Sequence, residues 1–146
     1  MRRVSTAIVT GSAGLSLLLA ACSGGGDAKP AVTNAPAGGA ASASTLTMQD
    51  IKYDKTALTG TKGQALTVTI TNSGALEHDF TIDKIDAKAT LDGKDAKSAT
   101  AAVHASVKPK GTGKLEITPA SAGTFDFYCT VAGHKEAGMK GTLTVN

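Results

Sequence analysis

A short segment near the C-terminus, FYCTVAGHKEAGMKGTLTV, carries a thiol, an imidazole and a thioether at even spacing. Four residues separate Cys129 from His134, and four more separate His134 from Met139. Gly133 and Gly138 directly precede the histidine and the methionine, and these two glycines and Gly141 are expected to let the backbone fold back through positive φ angles. Sulfur ligands favour Cu(I), whereas imidazole also accepts Cu(II). This loop is therefore a candidate site for a copper ion that changes its oxidation state.

A fourth candidate ligand, His78, lies upstream in the stretch EHDFTID. Successive side chains of a strand point to opposite faces, so His78 shares the predicted core face with Phe80 and Ile82, and the residues between them take the other face. The same alternation puts Cys129 on the core face of TFDFYC, beside Phe127. An inward histidine together with the three loop residues predicts a His₂Cys site with an axial methionine.

Period-two alternation of Thr, Val, Ile and Phe with polar residues runs through most of residues 45–146. The turn sequences TNSG, KPKGTG and TPASAG separate the predicted strands. Strands are predicted in TLTMQDI, QALTVTIT, EHDFTID, VHASV, KLEI, TFDFYC and GTLTV. We therefore predict an all-β domain, a Greek-key β-sandwich of about seven or eight strands. The stretch DKIDAKATLDGKDAKSA is expected to be a solvated loop with at most one helical turn.

The N-terminal segment differs in composition from this domain. MRR is a short basic region, and VSTAIVTGSAGLSLLLAA is an apolar stretch rich in small residues, a pattern typical of a secretory signal. The tetrapeptide LAAC resembles the lipobox of bacterial lipoproteins, in which the chain is cut before the cysteine and the cysteine is acylated. The resemblance implies a lipoprotein-type signal peptide over 1–21 and a lipidated Cys22.

Residues 22–44 would then join the lipid to the domain. After the cysteine this segment is almost entirely Gly, Ala, Ser, Pro and polar residues, a composition typical of flexible linkers. Its r.m.s. span would be roughly 25 Å, and its extended length about 70 Å. We therefore expect an exported domain that a lipid anchors to the outer face of the cell membrane, in the periplasm or at the cell surface.

Charge and cysteine content limit the function classes. Without residues 1–21 the chain has 13 basic and 12 acidic side chains, and no basic face that could bind nucleic acid is visible. Exported proteins normally pair their cysteines, yet Cys22 would already be acylated. Cys129 would then be an unpaired thiol in an oxidising compartment, which a bound metal explains.

The motif HDF and the later segment FYCTVAGHKEAGMKGTLTV together resemble the cupredoxins, which are small blue-copper proteins. The four-residue gaps around the loop histidine are more similar to those of auracyanin and rusticyanin than to plastocyanin, whose gap between cysteine and histidine is shorter. The resemblance implies one type 1 copper per chain, with three strong equatorial ligands, His78, Cys129 and His134, and Met139 as the weak axial ligand. It also implies that the edge of His134 reaches the surface as the electron exit.

Two residues depart from the usual pattern of this family. Ala132 stands where many relatives have a proline before the Gly-His pair, which is expected to loosen the loop without removing a ligand. Asp79 follows the first histidine, where relatives often have an Asn or Ser that hydrogen-bonds to the cysteine loop. A buried carboxylate beside a thiolate is unfavourable, so the sequence leaves the role of Asp79 open.

Other residues of suitable type are expected to have structural roles. His104 alternates with apolar residues and is expected to be exposed and not a ligand. Met48 is expected in the core, and Tyr53 as a packing residue in a loop or at an edge. Three charged residues flank the site and are expected to form a solvated rim: Lys135, Glu136 and Lys140.

The leading functional prediction is a monomeric, membrane-tethered carrier of single electrons between redox proteins, and not an enzyme. Copper nitrite reductases and multicopper oxidases need further histidine ligands, and this chain has three histidines in all. A CuA site needs a second loop cysteine, and a cysteine hydrolase built on Cys129 and His134 would need an exposed, activated nucleophile. Copper storage or delivery outside the cytoplasm uses the same ligands and stays open as the alternative.

Overall fold

The computed structural model describes residues 41–146, which form eleven strands and no helix. In chain order the strands are β1 (Ser42–Gln49), β2 (Lys52–Tyr53), β3 (Ala57–Gly60), β4 (Leu66–Asn72), β5 (His78–Ile82), β6 (Ala87–Leu91), β7 (Lys94–Asp95), β8 (Val103–Val107), β9 (Thr112–Pro119), β10 (Gly123–Tyr128) and β11 (Lys140–Val145). One sheet has the order β2-β1-β4-β9-β6-β7, and the other has the order β3-β11-β10-β5-β8. The predicted all-β sandwich is confirmed, with eleven strands instead of seven or eight.

The N-terminal predictions fall largely outside this range: residues 1–21, Cys22 and most of the linker over 22–44 are not among the described residues. Between residues 41 and 146 there is no helix with the length and apolar character needed to cross a membrane. Strand β1 begins at Ser42, inside the segment predicted as linker. Its first residues pair in parallel with β4 through backbone hydrogen bonds. This pairing needs no apolar side chains, so no hydrophobic pattern in the sequence indicates it.

The core lies between the two sheets and follows the period-two alternation. In β4 the side chains of Leu66, Val68 and Ile70 are at most 1% exposed, while the threonines between them are half-buried or exposed. The rings of Phe80 in β5 and Phe127 in β10 stack with their centroids 4.7 Å apart. Burying a side chain of this size stabilises the fold by about 1.5–3 kcal/mol. Because each phenylalanine lies two residues from a candidate ligand, this packing also fixes the strand ends that carry those ligands.

The prediction of a solvated loop over 83–99 is wrong for part of that stretch. It contains β6 and β7, which form a hairpin, and β6 also pairs along β9. Asp92 and Gly93 connect the two strands with positive φ angles of 50° and 78°, typical of a two-residue type I′ turn. The charged residues concealed strand β6 because only one of its faces is buried, mainly through Ala89.

Strand β5 is buried on both faces, whereas the alternation predicted an outer face for every second residue. Asp79 and Thr81, which were expected on that outer face, are 4% and 1% exposed. His104 of β8 lies opposite Thr81, and Thr130 of the cysteine loop contacts Asp79. The expected exposure of His104 is therefore wrong: the residue is half-buried, with Nδ1 2.9 Å from Thr81 Oγ1.

Gly141 of β11 allows a close approach between this strand and the core. A Cβ at this position would overlap Phe127 Cζ and lie 2.6 Å from the Thr56 carbonyl oxygen, and neither atom can move freely. We expect Gly141→Ala to lower the free energy of unfolding by about 1–3 kcal/mol or more, measured by urea denaturation of the metal-free protein. Gly113→Ala is the matched control, because its Cβ would meet Leu91 Cδ1, the end of a side chain that can rotate away. Equal losses in the two variants would contradict this packing role.

Candidate metal centre

The predicted ligands lie where β5, β10 and β11 meet at one end of their sheet. His78 is the first residue of β5, and Cys129 directly follows β10. His134 and Met139 lie in the segment between β10 and β11. Two backbone hydrogen bonds close this segment: Cys129 N donates to Met139 O at 3.1 Å, and Met139 N donates to His134 O at 2.9 Å. The loop thus holds its three candidate ligands next to one another through its own backbone.

Gly133 and Gly138 supply the backbone conformations that the loop needs. Their φ angles are +81° and +102°, values that residues with a side chain rarely adopt. Between them, Ala137 N donates to Gly133 O at 3.0 Å and Gly138 N donates to Lys135 O at 3.1 Å. The predicted turning role is confirmed for these two glycines, but it is wrong for Gly141, whose φ is not positive.

The side chains of His78, Cys129 and His134 converge, with their ligand atoms within 4.8 Å of one another. Both imidazoles present Nδ1 to the sulfur: Cys129 Sγ lies 3.5 Å from His134 Nδ1 and 4.0 Å from His78 Nδ1. The centroids of the two imidazole rings are 5.0 Å apart, and the ring planes are inclined by 44°. The structure therefore brings the strand histidine to the two loop residues.

Burial sets the charge state of these groups in the metal-free protein. His78 and Cys129 are both 0% exposed. Burial lowers the pKa of the His78 imidazole, and the nearby His134 lowers it further. Burial also raises the pKa of the Cys129 thiol. A neutral imidazole can bind a metal directly, whereas the thiol must release a proton when the metal binds.

The donor arrangement fits a copper ion. A metal ion such as zinc lies about 2.0–2.3 Å from its nitrogen and sulfur ligand atoms, so two ligand atoms of one ion are about 3.3–4 Å apart. The two Sγ–Nδ1 distances of this site, 3.5 and 4.0 Å, fall in that range. His78 Nε2 is buried and has no hydrogen-bond partner within residues 41–146. A buried polar atom without a partner is rare in folded proteins, and a functional role of the residue is one explanation for it. Two imidazoles and a thiolate, with a thioether on the same loop, form the donor set of a single type 1 copper.

The candidate ligands differ in their access to solvent. Met139 is 0% exposed, and its backbone is hydrogen-bonded to both Cys129 and His134. Of the four candidate ligands His134 has the greatest exposure, 5%, and the other three have none. The predicted solvated rim is present, since three residues around the site are exposed: Lys135, Glu136 and Lys140.

Asp79 joins β5 to the cysteine loop. Its carboxylate accepts hydrogen bonds from Thr130 N at 3.0 and 3.1 Å and from Thr130 Oγ1 at 2.7 Å. It also accepts one from Thr81 Oγ1 at 2.8 Å, and its backbone carbonyl accepts one from the Tyr53 hydroxyl at 2.6 Å. Sequence reasoning left Asp79 open and missed the contributions of the other three residues. Their contacts depend on which strands lie side by side, and period-two alternation carries no signal for that.

Comparison with known families and proteins agrees with the assignment of a copper site. A family model described as a cupredoxin-like domain matches residues 17–145. The chain is 27% identical, over 100 residues, to the copper-resistant cuproprotein CopI of Rubrivivax gelatinosus. This alignment covers 65% of the chain and 60% of the length of CopI.

Solved structures with a similar fold include two auracyanins. Reduced auracyanin from Roseiflexus castenholzii aligns with a TM-score of 0.58 and 25% identity, over 74% of this chain and 99% of that one. Auracyanin A from Chloroflexus aurantiacus, a "blue" copper protein, aligns with a TM-score of 0.53 and 21% identity, over 71% and 99% of the two chains. A multicopper oxidase from Pediococcus acidilactici aligns with a TM-score of 0.56 and 14% identity, over 73% of this chain but 26% of the oxidase.

Proposed function

This chain belongs to the cupredoxin-like domain family, and from that premise we propose that it carries single electrons between redox proteins on one type 1 copper. The observation that carries the proposal is the buried site in which both imidazole Nδ1 atoms face the Cys129 sulfur. We assign His78, Cys129 and His134 as the strong ligands and Met139 as the weak axial ligand.

The residues of the chain prepare this site for repeated electron transfer. When bound, copper supplies one-electron chemistry by alternating between Cu(I) and Cu(II). Ligands that are nearly or fully buried exclude water from the site. Two ligands are fixed at strand ends, and the loop that carries the others is closed by backbone hydrogen bonds, so the ligand positions need change little when an electron arrives or leaves.

We propose His134 as the electron exit. At 5% this residue has the greatest exposure of the four ligands, and the loop residues that follow it, Lys135 and Glu136, are exposed and can be approached by a redox partner. His78, the first residue of β5, is 0% exposed and offers no comparable path to solvent. A partner that docks over this end of the sandwich would approach the copper through a single imidazole.

We propose that the chain is not itself an enzyme. The similarity to the multicopper oxidase covers 26% of that protein. The chain has three histidines, and two of them are assigned to this centre. The third, His104, bonds to Thr81 and is not part of the ligand cluster found within residues 41–146. One copy of the chain therefore lacks the histidines for a second copper centre.

We further propose that the protein is tethered to a membrane. Residues 1–21 would be the signal peptide, Cys22 the lipidated first residue of the mature chain, and 22–44 the connection to the cupredoxin domain, predicted at 45–146. The LAAC motif and the Gly/Ala/Ser-rich composition support this organisation. The mature protein would be a monomer at the outer face of the cell membrane, in the periplasm or at the cell surface, where redox proteins can reach it.

Copper storage or delivery is the second candidate function. It is supported by the similarity to CopI, which is described as a copper-resistant cuproprotein. The same four ligands would serve this function, so the ligand set does not separate it from electron transfer. The two functions differ in how readily the bound copper gives up and accepts an electron.

Copper loading separates these functions. We expect the mature protein to bind one copper, to turn blue because of the thiolate, and to exchange electrons rapidly between oxidised and reduced copies because the ligands are held in place. Visible spectroscopy, metal analysis and NMR line widths of partly reduced samples measure these properties. Slow exchange combined with a very strong preference for Cu(I) would favour copper handling. A colourless copper complex would contradict the type 1 assignment.

A further inference from the structure

Asp79 is a carboxylate buried beside the proposed copper thiolate. It is 4% exposed, and its Oδ2 lies 3.7 Å from Cys129 Sγ. Within the described part of the chain, no Lys or Arg side chain forms an ion pair with it; the ion pairs there are Lys55–Asp54 and Lys114–Glu116. A buried charge without a charged partner is costly and needs hydrogen bonds to offset its desolvation.

The hydrogen bonds around Asp79 identify its carboxylate as an acceptor. Thr130 donates to it from both the backbone N and Oγ1, and Thr81 donates from Oγ1. A threonine hydroxyl has one hydrogen, so Thr81 Oγ1 must accept its other bond, from His104 Nδ1 at 2.9 Å. A continuous hydrogen-bonded chain therefore runs from half-buried His104 through Thr81 to the carboxylate beside the sulfur.

The contact between Asp79 and the sulfur changes when a metal binds. In the metal-free protein the Cys129 thiol can donate its hydrogen to Oδ2. A metal-bound sulfur is a thiolate and has no hydrogen to donate, so two negatively charged groups then face each other. An additional negative charge at this distance favours the copper state with the higher positive charge, which is the oxidised one.

Resting on the proposed copper function, we propose that Asp79 has two roles toward the metal site: its carboxylate fastens the cysteine loop to β5, and its charge lowers the reduction potential of the copper. An amide or a hydroxyl at this position could also fasten the loop, but it would add no charge. Asp79 is thus a positioning residue whose charge also sets the potential.

Replacing the charge alone tests the second role. Asp79→Asn keeps an oxygen that Thr130 can bond to, and we expect it to shift the equilibrium with a redox mediator at least tenfold toward Cu(I), a rise of about 59 mV for one electron. Asp126→Asn is the matched control, because it removes the same charge from an exposed position on β10, where water screens it. A blue Asp79→Asn protein with an unchanged or lower potential would overturn this role.

A second variant tests the effect of the Asp79 charge through a shift of the reduction potential in the opposite direction. Thr81→Val removes one hydrogen-bond donor from the carboxylate while keeping the side-chain shape, so the negative charge is less well compensated. We expect its reduction potential to fall below that of the unmodified protein. A rise would contradict the assignment, and this measurement does not depend on whether Asp79→Asn folds.

The fastening role is tested in the metal-free protein. Asp79→Ala removes the acceptor of the Thr130 amide, so we expect hydrogen exchange at that amide to become at least tenfold faster, while Asp79→Asn keeps it protected. Unchanged exchange in Asp79→Ala would overturn the fastening role. If the unmodified protein failed to form a blue copper site, the proposed function and the effect on the reduction potential would both be wrong. The hydrogen-exchange experiment uses the metal-free protein, so it would still test the fastening role.

Discussion

Cys129→Ser is expected to abolish the intense visible colour of the copper-loaded protein and its reversible one-electron couple. The Cys129 sulfur is the donor that both imidazole Nδ1 atoms face, at 3.5 and 4.0 Å. A serine hydroxyl does not ionise at neutral pH, so it supplies neither the soft anionic ligand that stabilises Cu(I) nor the sulfur whose charge transfer to Cu(II) produces the colour. Visible spectroscopy and voltammetry after copper loading measure both losses.

Met139→Leu is the matched comparison for this experiment. Both residues are fully buried, but we assign Met139 a weak, long contact with the copper. Leucine has nearly the volume of methionine, so packing should hardly change. We expect a blue protein with a raised potential, because loss of the axial sulfur favours Cu(I). A colourless Met139→Leu or a blue Cys129→Ser protein would contradict the ligand assignment.

The candidate ligands could be found from the sequence because two local signals coincide there. Period-two alternation gave the direction of His78 and Cys129, and both are fully buried as expected. The glycines before His134 and Met139 indicated a turning loop, and both have positive φ. These signals depend on residues close together in the chain, which is why sequence reasoning could use them without knowing the strand order.

The strands that were missed are those with little or no local signal. Strands β2 and β7 have two residues each, too short for any alternation. Strand β3 has four residues and is held by parallel pairing with β11, near the other end of the described chain. Charged residues made β6 resemble a loop, although its hairpin turn, Asp92–Gly93, is a recognisable signal that was overlooked.

The surroundings of the site were harder to predict than its ligands. Alternation assigned Asp79 and Thr81 to an outer face, which is correct for an isolated strand. In the fold that face is covered, because Thr130 of the cysteine loop and His104 of β8 pack and bond there. Whether an outward side chain meets water or another strand or loop depends on which elements pack together in the fold. The hydrogen-bonded chain from His104 through Thr81 to Asp79 could therefore be identified only in the structure.

Cys22→Ser is expected to abolish membrane association and to leave residues 1–21 attached to the chain. If Cys22 is the lipidated first residue, its two acyl chains anchor the protein stably, since each buried CH₂ contributes about 0.8 kcal/mol and two chains exceed the marginal binding of one. Serine has no sulfur to form the thioether, so neither lipid attachment nor the cleavage that follows it should occur. Fractionation of cells and intact mass measurement report the two effects separately.

Cys129→Ser serves as the control for this experiment, because it also removes one of the two cysteines but lies in the copper site. We expect it to be processed at Cys22 and to partition with membranes like the unmodified protein, although it has lost its colour. The two cysteine variants should therefore fail in opposite assays, one in localisation and one in copper chemistry. Recovery of unmodified protein that is processed, free of lipid and starts at a residue other than Cys22 would contradict the lipid anchor.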